Sequence, residues 1–286
     1  MVKSLSDETL LEVCETIQAS LLSSFNTHSS GLITTRQEVG ILRLFTSYLE
    51  DGGFPEYQTD PDTEILKRTF DDIIFRDIIS RYKIREIRAF RELARYLLIN
   101  MTHEASLNSL ASVIGIKSGL SVKTWIGYLE DSYLLGSLCP YEYSMKQQLS
   151  RNQKYYGIDT GMRNAVVFRF SGDAGMLLDN MVLTELRRQG KTVYSWTGKR
   201  ECDFLVVDRG HIKTAIQVCF HLTHENHQRE VGGLAEVEEE RFQDCTGIIL
   251  TERQDEMLPV KDREVRVMPV WRWIFMSLEE SVQWKN

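Results

Sequence analysis

A chain of 286 residues with 42% hydrophobic and 26% charged residues has the composition of a globular protein, with room for one large domain or two ordinary ones. No uninterrupted apolar run approaches the ~20 residues that span a bilayer, and the N-terminal stretch mixes acids into its apolar period, which excludes a signal peptide. The five cysteines are scattered without a CxxC pair, so reduced thiols, a cytoplasmic location and no membrane partner are expected. The net charge of −7 is unevenly spread: residues 64–154 hold 14 Lys and Arg against 10 Asp and Glu, while the remainder is strongly acidic. Local contact with an anionic polymer therefore stays open although the whole chain is anionic.

In chain order, Leu10, Leu11, Val13, Ile17, Leu21 and Leu22 recur at helical spacing over residues 5–24, after the capping run Ser6-Asp7-Glu8. A Ser/Thr/Gly-rich loop over 23–35 leads to a second helix, Ile41 to Leu49, closed by Asp51-Gly52-Gly53. A long helical stretch over 64–98 is broken near Tyr82–Ile84 and decorated by Arg76, Arg81, Lys83, Arg85, Arg88, Arg91 and Arg95. A short helix over 107–114 ends at Gly115. Lys117 to Leu120 form a turn, Ser121 caps a helix over 122–129, and a hairpin-like segment follows over 138–144.

Helix, glycine-containing turn, helix and β wing is the winged-helix order, in which Lys117, Lys123, Thr124 and Tyr128 would face a DNA groove or backbone. After Arg151 the pattern alternates. Strands are expected over 154–159, 192–196, 202–207, 214–220, 247–251 and 265–270, with helices over 177–188 and 225–240 and the turn Asp208-Arg209-Gly210. The fold class is thus mixed α and α/β: a helical segment over 1–60, a winged helix over 61–150, and an α/β domain over 151–286.

Nucleases of the restriction-endonuclease fold, the PD-(D/E)xK type, place an acid on a first helix, an Asp on one strand and E-x-K on the next. The carboxylates hold Mg²⁺ and the lysine steadies charge developing on the phosphate. Here Glu185 falls on the helix, Asp203 on the first strand of a hairpin, and Gln217 and Cys219 where E-x-K is expected. Glu185 and Asp203 are the candidate Mg²⁺ ligands. Gln217 brings a carbonyl oxygen without charge and Cys219 no ammonium, so Glu185, Asp203 and Gln217 read as a degenerate catalytic set. Cys219, His221, His224 and His227 have the chemistry of zinc ligands, but their spacing disperses them and a solvated loop is the simpler reading. The stretch Gly115 to Thr124 only superficially looks like a phosphate loop: its Lys-Thr follows Val122 rather than the required glycine, and a helix precedes it.

YLEDGGFPE (48–56), IIFRDIISRYKIR (73–85), YLEDSYLL (128–135), KYYGIDTGM (154–162), LLDNMVLTEL (177–186), ECDFLV (201–206), AIQVCF (215–220) and the pair Arg229-Glu230 occur in that order. Together they resemble the C-terminal half of a prokaryotic family of AAA-superfamily ATPases, over about residues 40–250. The resemblance implies a winged helix and a restriction-endonuclease-like domain behind a P-loop core that this sequence lacks, so ATP is not expected to bind it. It also implies, as partners, DNA, a P-loop ATPase acting in trans, or a second copy of the chain. The leading expectation is a DNA- or partner-binding regulatory module with an inactive nuclease-like domain. The alternative is a Mg²⁺-dependent DNA endonuclease.

Overall fold

The computed structural model describes residues 35–168, 172–239, 245–260 and 263–283. The helix expected over 5–24 lies outside them. Helix α1 (Thr35–Asp51) buries Ile41, Phe45 and Leu49, one residue per turn, and ends at Gly52, whose φ of 73° is a left-handed value that glycine adopts without a Cβ penalty. A short α2 (Pro55–Thr59) precedes α3 (Thr63–Asp72), whose first turn is capped by Asp62 accepting from the Glu64 N–H at 2.9 Å. The chain continues without interruption through a π-helical segment, Ile73–Ile79, and a last turn, Ser80–Tyr82. Lys83, at φ 53°, then breaks the helix where the sequence predicted.

Helix α4 (Ile87–Ile99), strand β1 (Glu104–Ala105), α5 (Leu107–Val113), α6 (Gly119–Asp131) and β2 (Leu135–Leu138) follow. The cap of α6 is Ser118, accepting from the Ser121 N–H at 3.3 Å, rather than Ser121 itself, so the helix begins three residues earlier than expected. β2 does not turn back over 138–144. It pairs antiparallel with β3 (Gln153–Gly157), which also pairs with β1, and the connection carries α7 (Met145–Ser150). The boundary expected at 150 therefore cuts a sheet whose central strand is β3, because β1 and β2 find their backbone partners only beyond it.

Helices α8 (Thr160–Val166) and α9 (Ala174–Arg188) lead to a six-stranded sheet of order β4-β5-β6-β7-β9-β8. β4 (Thr192–Thr197), β5 (Glu201–Asp208) and β6 (His211–Val218) form an antiparallel meander. The two-residue turn Arg209-Gly210, both at positive φ (48° and 82°), closes the second hairpin and matches the right-handed twist of its strands. α10 (His227–Glu239) crosses over to β7 (Thr246–Thr251), parallel to β6. β8 (Glu256–Val260) and β9 (Arg263–Pro269) complete the sheet, and α11 (Val270–Gln283) covers it. The order is that of a mixed α and α/β protein.

One apolar core runs from Phe45, Phe70, Ile74, Phe90 and Trp125 in the helical half, through Tyr156, to Phe204, Ile216, Leu250 and Trp271 on one sheet face. A second, under α10, gathers Leu205, Ala215, Leu234, Val237, Ile249 and Val267 on the other face. Outside the strands, the β2–β3 connection also reaches the sheet: the Tyr141 N–H donates to Ser195 O at 2.7 Å and the Ser195 N–H to Cys139 O at 3.0 Å. No helix among the described residues is long and apolar enough to cross a membrane.

Candidate functional site

β5 carries an irregularity where the chemistry gathers. Trp196 faces Cys202 and Tyr194 faces Leu205, so Asp203 and Phe204 together oppose Ser195 alone. Such a bulge bends the strand and re-aims a side chain. The Asp203 carboxylate turns to the end of β6, where its Oδ2 accepts from the Val218 N–H at 2.8 Å, and its Oδ1 stands 3.9 Å from the ammonium of Lys154 on β3. Lys154, itself 5% exposed, is ion-paired with Glu201, two residues before Asp203. The helix acid that faces this group is Asp179 of α9, buried with its Oδ1 lacking a hydrogen-bond partner. Tyr156, on the same face of β3 as Lys154, brings a buried hydroxyl that is likewise unpartnered.

On the opposite side, the Gln217 Nε2 donates to Glu230 Oε2 at 2.8 Å, and Arg229 donates to Glu230 Oε1. Helix α10 reaches that depth because Gly233 packs on the Glu201 carbonyl, where a Cβ would overlap it.

The electrostatics follow from burial with one cation among several acids. Burial raises Asp203 to about 6, against Lys154 and the Val218 N–H, with Glu201 and Glu230 adding to the rise. Burial and the neighbouring Asp203 hold Asp179 well above the usual carboxylate range. Burial disfavours the Lys154 ammonium, but Asp203, Asp179 and Glu201 outweigh it and lift its pKa. The group is thus a buried ammonium shared by acids whose charged forms burial disfavours.

Of the residues expected from the sequence, Asp203 and Gln217 belong to this region. Glu185 does not. Its carboxylate is occupied by Arg188, with Nε and Nη2 both at 2.7 Å, and by Gln189 at 2.7 Å, on its own helix. It lies six residues, about 9 Å along the axis, past Asp179 and on another helix face. The Mg²⁺ pair Glu185 and Asp203 is therefore not assembled.

A divalent ion also does not fit the residues that are assembled. Mg²⁺ demands near-ideal octahedral oxygen geometry, whereas Lys154 occupies Glu201 and approaches Asp203, whose other oxygen is held by Val218. Among the described residues no three His, Cys, Asp or Glu side chains are arranged to hold a metal. Cys219 is buried and its thiol is pushed up to about 12 by burial and by Glu230, while the His221 ring packs against Phe220, so the zinc reading gains nothing.

Lys117, Lys123 and Thr124 are exposed at the start of α6, beside Leu120, which is 74% exposed. Neither lysine forms an ion pair among the described residues. Tyr128 is placed differently from expectation: it is half-buried and stacked on Tyr82, ring centroids 3.7 Å apart and 9° from parallel. The sequence reading missed Lys154, Asp179, Glu201 and Glu230. Their signal was membership of the resembling segments KYYGIDTGM, LLDNMVLTEL and ECDFLV and of the pair Arg229-Glu230, and for Glu201 also the strand alternation that puts it on one face with Asp203.

A family model described as a domain of unknown function (DUF8612) matches residues 42–173, which takes in Lys154 but stops short of Asp179 and Asp203. The chain is similar to an uncharacterized protein of Methanocaldococcus jannaschii, 29% identical over 258 residues, covering 84% of this chain and 57% of that protein. It is also similar to an uncharacterized protein of Haemophilus influenzae, 24% identical over 196 residues, 66% of this chain and 49% of that protein. The chain spans about half the length of these curated relatives.

Proposed function

We propose that this chain binds double-stranded DNA through α6, and that its acid–lysine cluster is a structural remnant of a nuclease centre that does not cleave. The observation that carries the binding half is the exposed pair Lys117, just before α6, and Lys123, on its first turns, neither ion-paired among the described residues, with Thr124 exposed beside Lys123. That helix follows α5 across a turn containing Gly115 (φ 70°), and the β1-β3-β2 sheet stands beside it, an arrangement that supports the winged-helix reading. The sequence α9, β4, β5, β6, with Asp179 of α9 facing Asp203 of β5 and Gln217 on β6 beside them bonded to Glu230, supports kinship with restriction-endonuclease-like domains. Lys154 argues against catalysis there. A fixed ammonium, paired with Glu201 and 3.9 Å from Asp203, competes with a metal for the two sheet carboxylates.

Fluorescence anisotropy with a labelled duplex at several salt concentrations tests the binding half. Binding is expected to weaken steeply with salt, and Lys117→Ala/Lys123→Ala to weaken it further. Salt-insensitive binding, or none, would refute it. The same duplex incubated with Mg²⁺ or Mn²⁺ is expected to stay intact, and cleavage that Asp203→Ala abolishes would establish the endonuclease instead.

A further inference from the structure

Of the basic residues from 64 to 98, Lys67 pairs with Glu64, while Arg68, Arg85 and Arg95 are exposed and form no ion pair among the described residues. Arg76, Arg88 and Arg91 are each answered by a carboxylate, in pairs with Asp72, Glu92 and Asp71. Arg81 and Lys83, at the break between the helices, form no ion pair among the described residues, although Asp77 and Glu86 are exposed within a few positions. Both cations are exposed, and they flank Tyr82. That ring stacks on Tyr128, one helical turn beyond Thr124 on the same face of α6, so the break is joined to the helix that carries Lys123 and follows Lys117.

We propose that Arg81 and Lys83 form a second phosphate-binding element, continuous with α6 through the Tyr82–Tyr128 stack, that holds the backbone of the same duplex. The inference rests on the DNA-binding reading above. The Arg81 guanidinium carbon lies 5.6 Å over the Tyr82 ring. The guanidinium thus stands within cation–π range of the ring and, exposed and without an ion pair among the described residues, keeps N–H groups of the kind that bond phosphate oxygens in pairs. Lys83, held at φ 53°, ends the helix beside it and adds a point charge. Neither residue reads bases, so the element adds affinity and register but no sequence preference.

The test measures duplex affinity against salt for the full chain and three variants: Arg81→Ala/Lys83→Ala, Arg81→Lys/Lys83→Arg, and Lys117→Ala/Lys123→Ala. Each lost phosphate contact lowers the slope of log K against log salt by about 0.9, so the alanine pair at the break lowers it by about 1.8, equivalent to about 30-fold weaker binding at 0.15 M salt. The charge-keeping pair restores the slope, and thermal melts of all variants, which alter only exposed side chains, coincide with the parent. If Lys117→Ala/Lys123→Ala weakens binding but the break variant keeps the full slope, the proposal fails while the DNA reading stands. If the parent does not bind duplex, both fail. If poly-L-glutamate at equal charge competes as well as duplex, the surface belongs to an acidic protein segment and the proposal is overturned.

Discussion

Replacing Lys154 by methionine removes the cation from a group of three acids while keeping a side chain of similar length. Lys154 is 5% exposed, Asp203 13% and Glu201 52%, so Glu201 can turn to water and the burden falls on Asp203 and Asp179. Breaking a buried pair from one side costs about 3–5 kcal/mol, and the escape route of Glu201 points to the lower end, about 3 kcal/mol at pH 7.5. With its pKa near 6, Asp203 is mostly protonated at pH 5, where the pair it forms with Lys154 is largely absent. There the loss should shrink to about 1 kcal/mol. Urea unfolding followed by circular dichroism and tryptophan fluorescence at both pH values measures the two numbers. The double variant Lys154→Met/Asp203→Asn should recover at least half of the loss at pH 7.5. An equal loss at both pH values, or no relief from Asp203→Asn, would refute the view that the ammonium balances these acids.

Asp203 also sets a pH dependence of the intact protein. Its folded pKa of about 6 lies above the ordinary 3.8, so it favours folding below about pH 4 and that contribution is lost as pH rises through 6. The unfolding free energy of Asp203→Asn should gain about 3 kcal/mol on the parent between pH 4 and 7; parallel curves would count against this. Gln217→Glu, which restores a nuclease-like acid, places a carboxylate against Glu230 and should cost about 2 kcal/mol at pH 7.5 and less at pH 5, read by the same unfolding curves. Asp159 accepts from the Met162 N–H at 2.6 Å and the Gly53 N–H at 2.8 Å, so Asp159→Ala should lose about 2 kcal/mol. Gly161→Ala would press a Cβ into the Asp51 carbonyl and should cost about 1–3 kcal/mol, seen as a lower melting temperature.

Those last residues show what the sequence carried. YLEDGGFPE and KYYGIDTGM are a hundred residues apart, yet Gly53 meets Asp159 and Gly161 meets Asp51. The two segments form one clamp between α1 and α8 that no local pattern reveals. The alternation of β5 and β6 and the turn at Arg209-Gly210 were readable because period-two burial and turn chemistry are local. The helix acid was not. α9 buries residues on nearly every side, so periodicity could not choose between Asp179 and Glu185. Lys154 escaped because it comes from the other sheet, through a pairing of β3 that only the tertiary structure supplies. Tyr128 escaped because its partner Tyr82 lies on an earlier helix.

The two hydrogen bonds between Ser195 and the β2–β3 connection have a consequence for behaviour at high concentration. β4 is the outermost strand of its sheet, and a bare outermost strand offers its amides and carbonyls to the next molecule. Here Cys139 and Tyr141 occupy those groups at Ser195, and the Tyr141 ring packs edge-on to Tyr194 as a cover. Shortening this connection would uncover the strand, and the shortened protein should assemble edge to edge into oligomers while its fold remains intact.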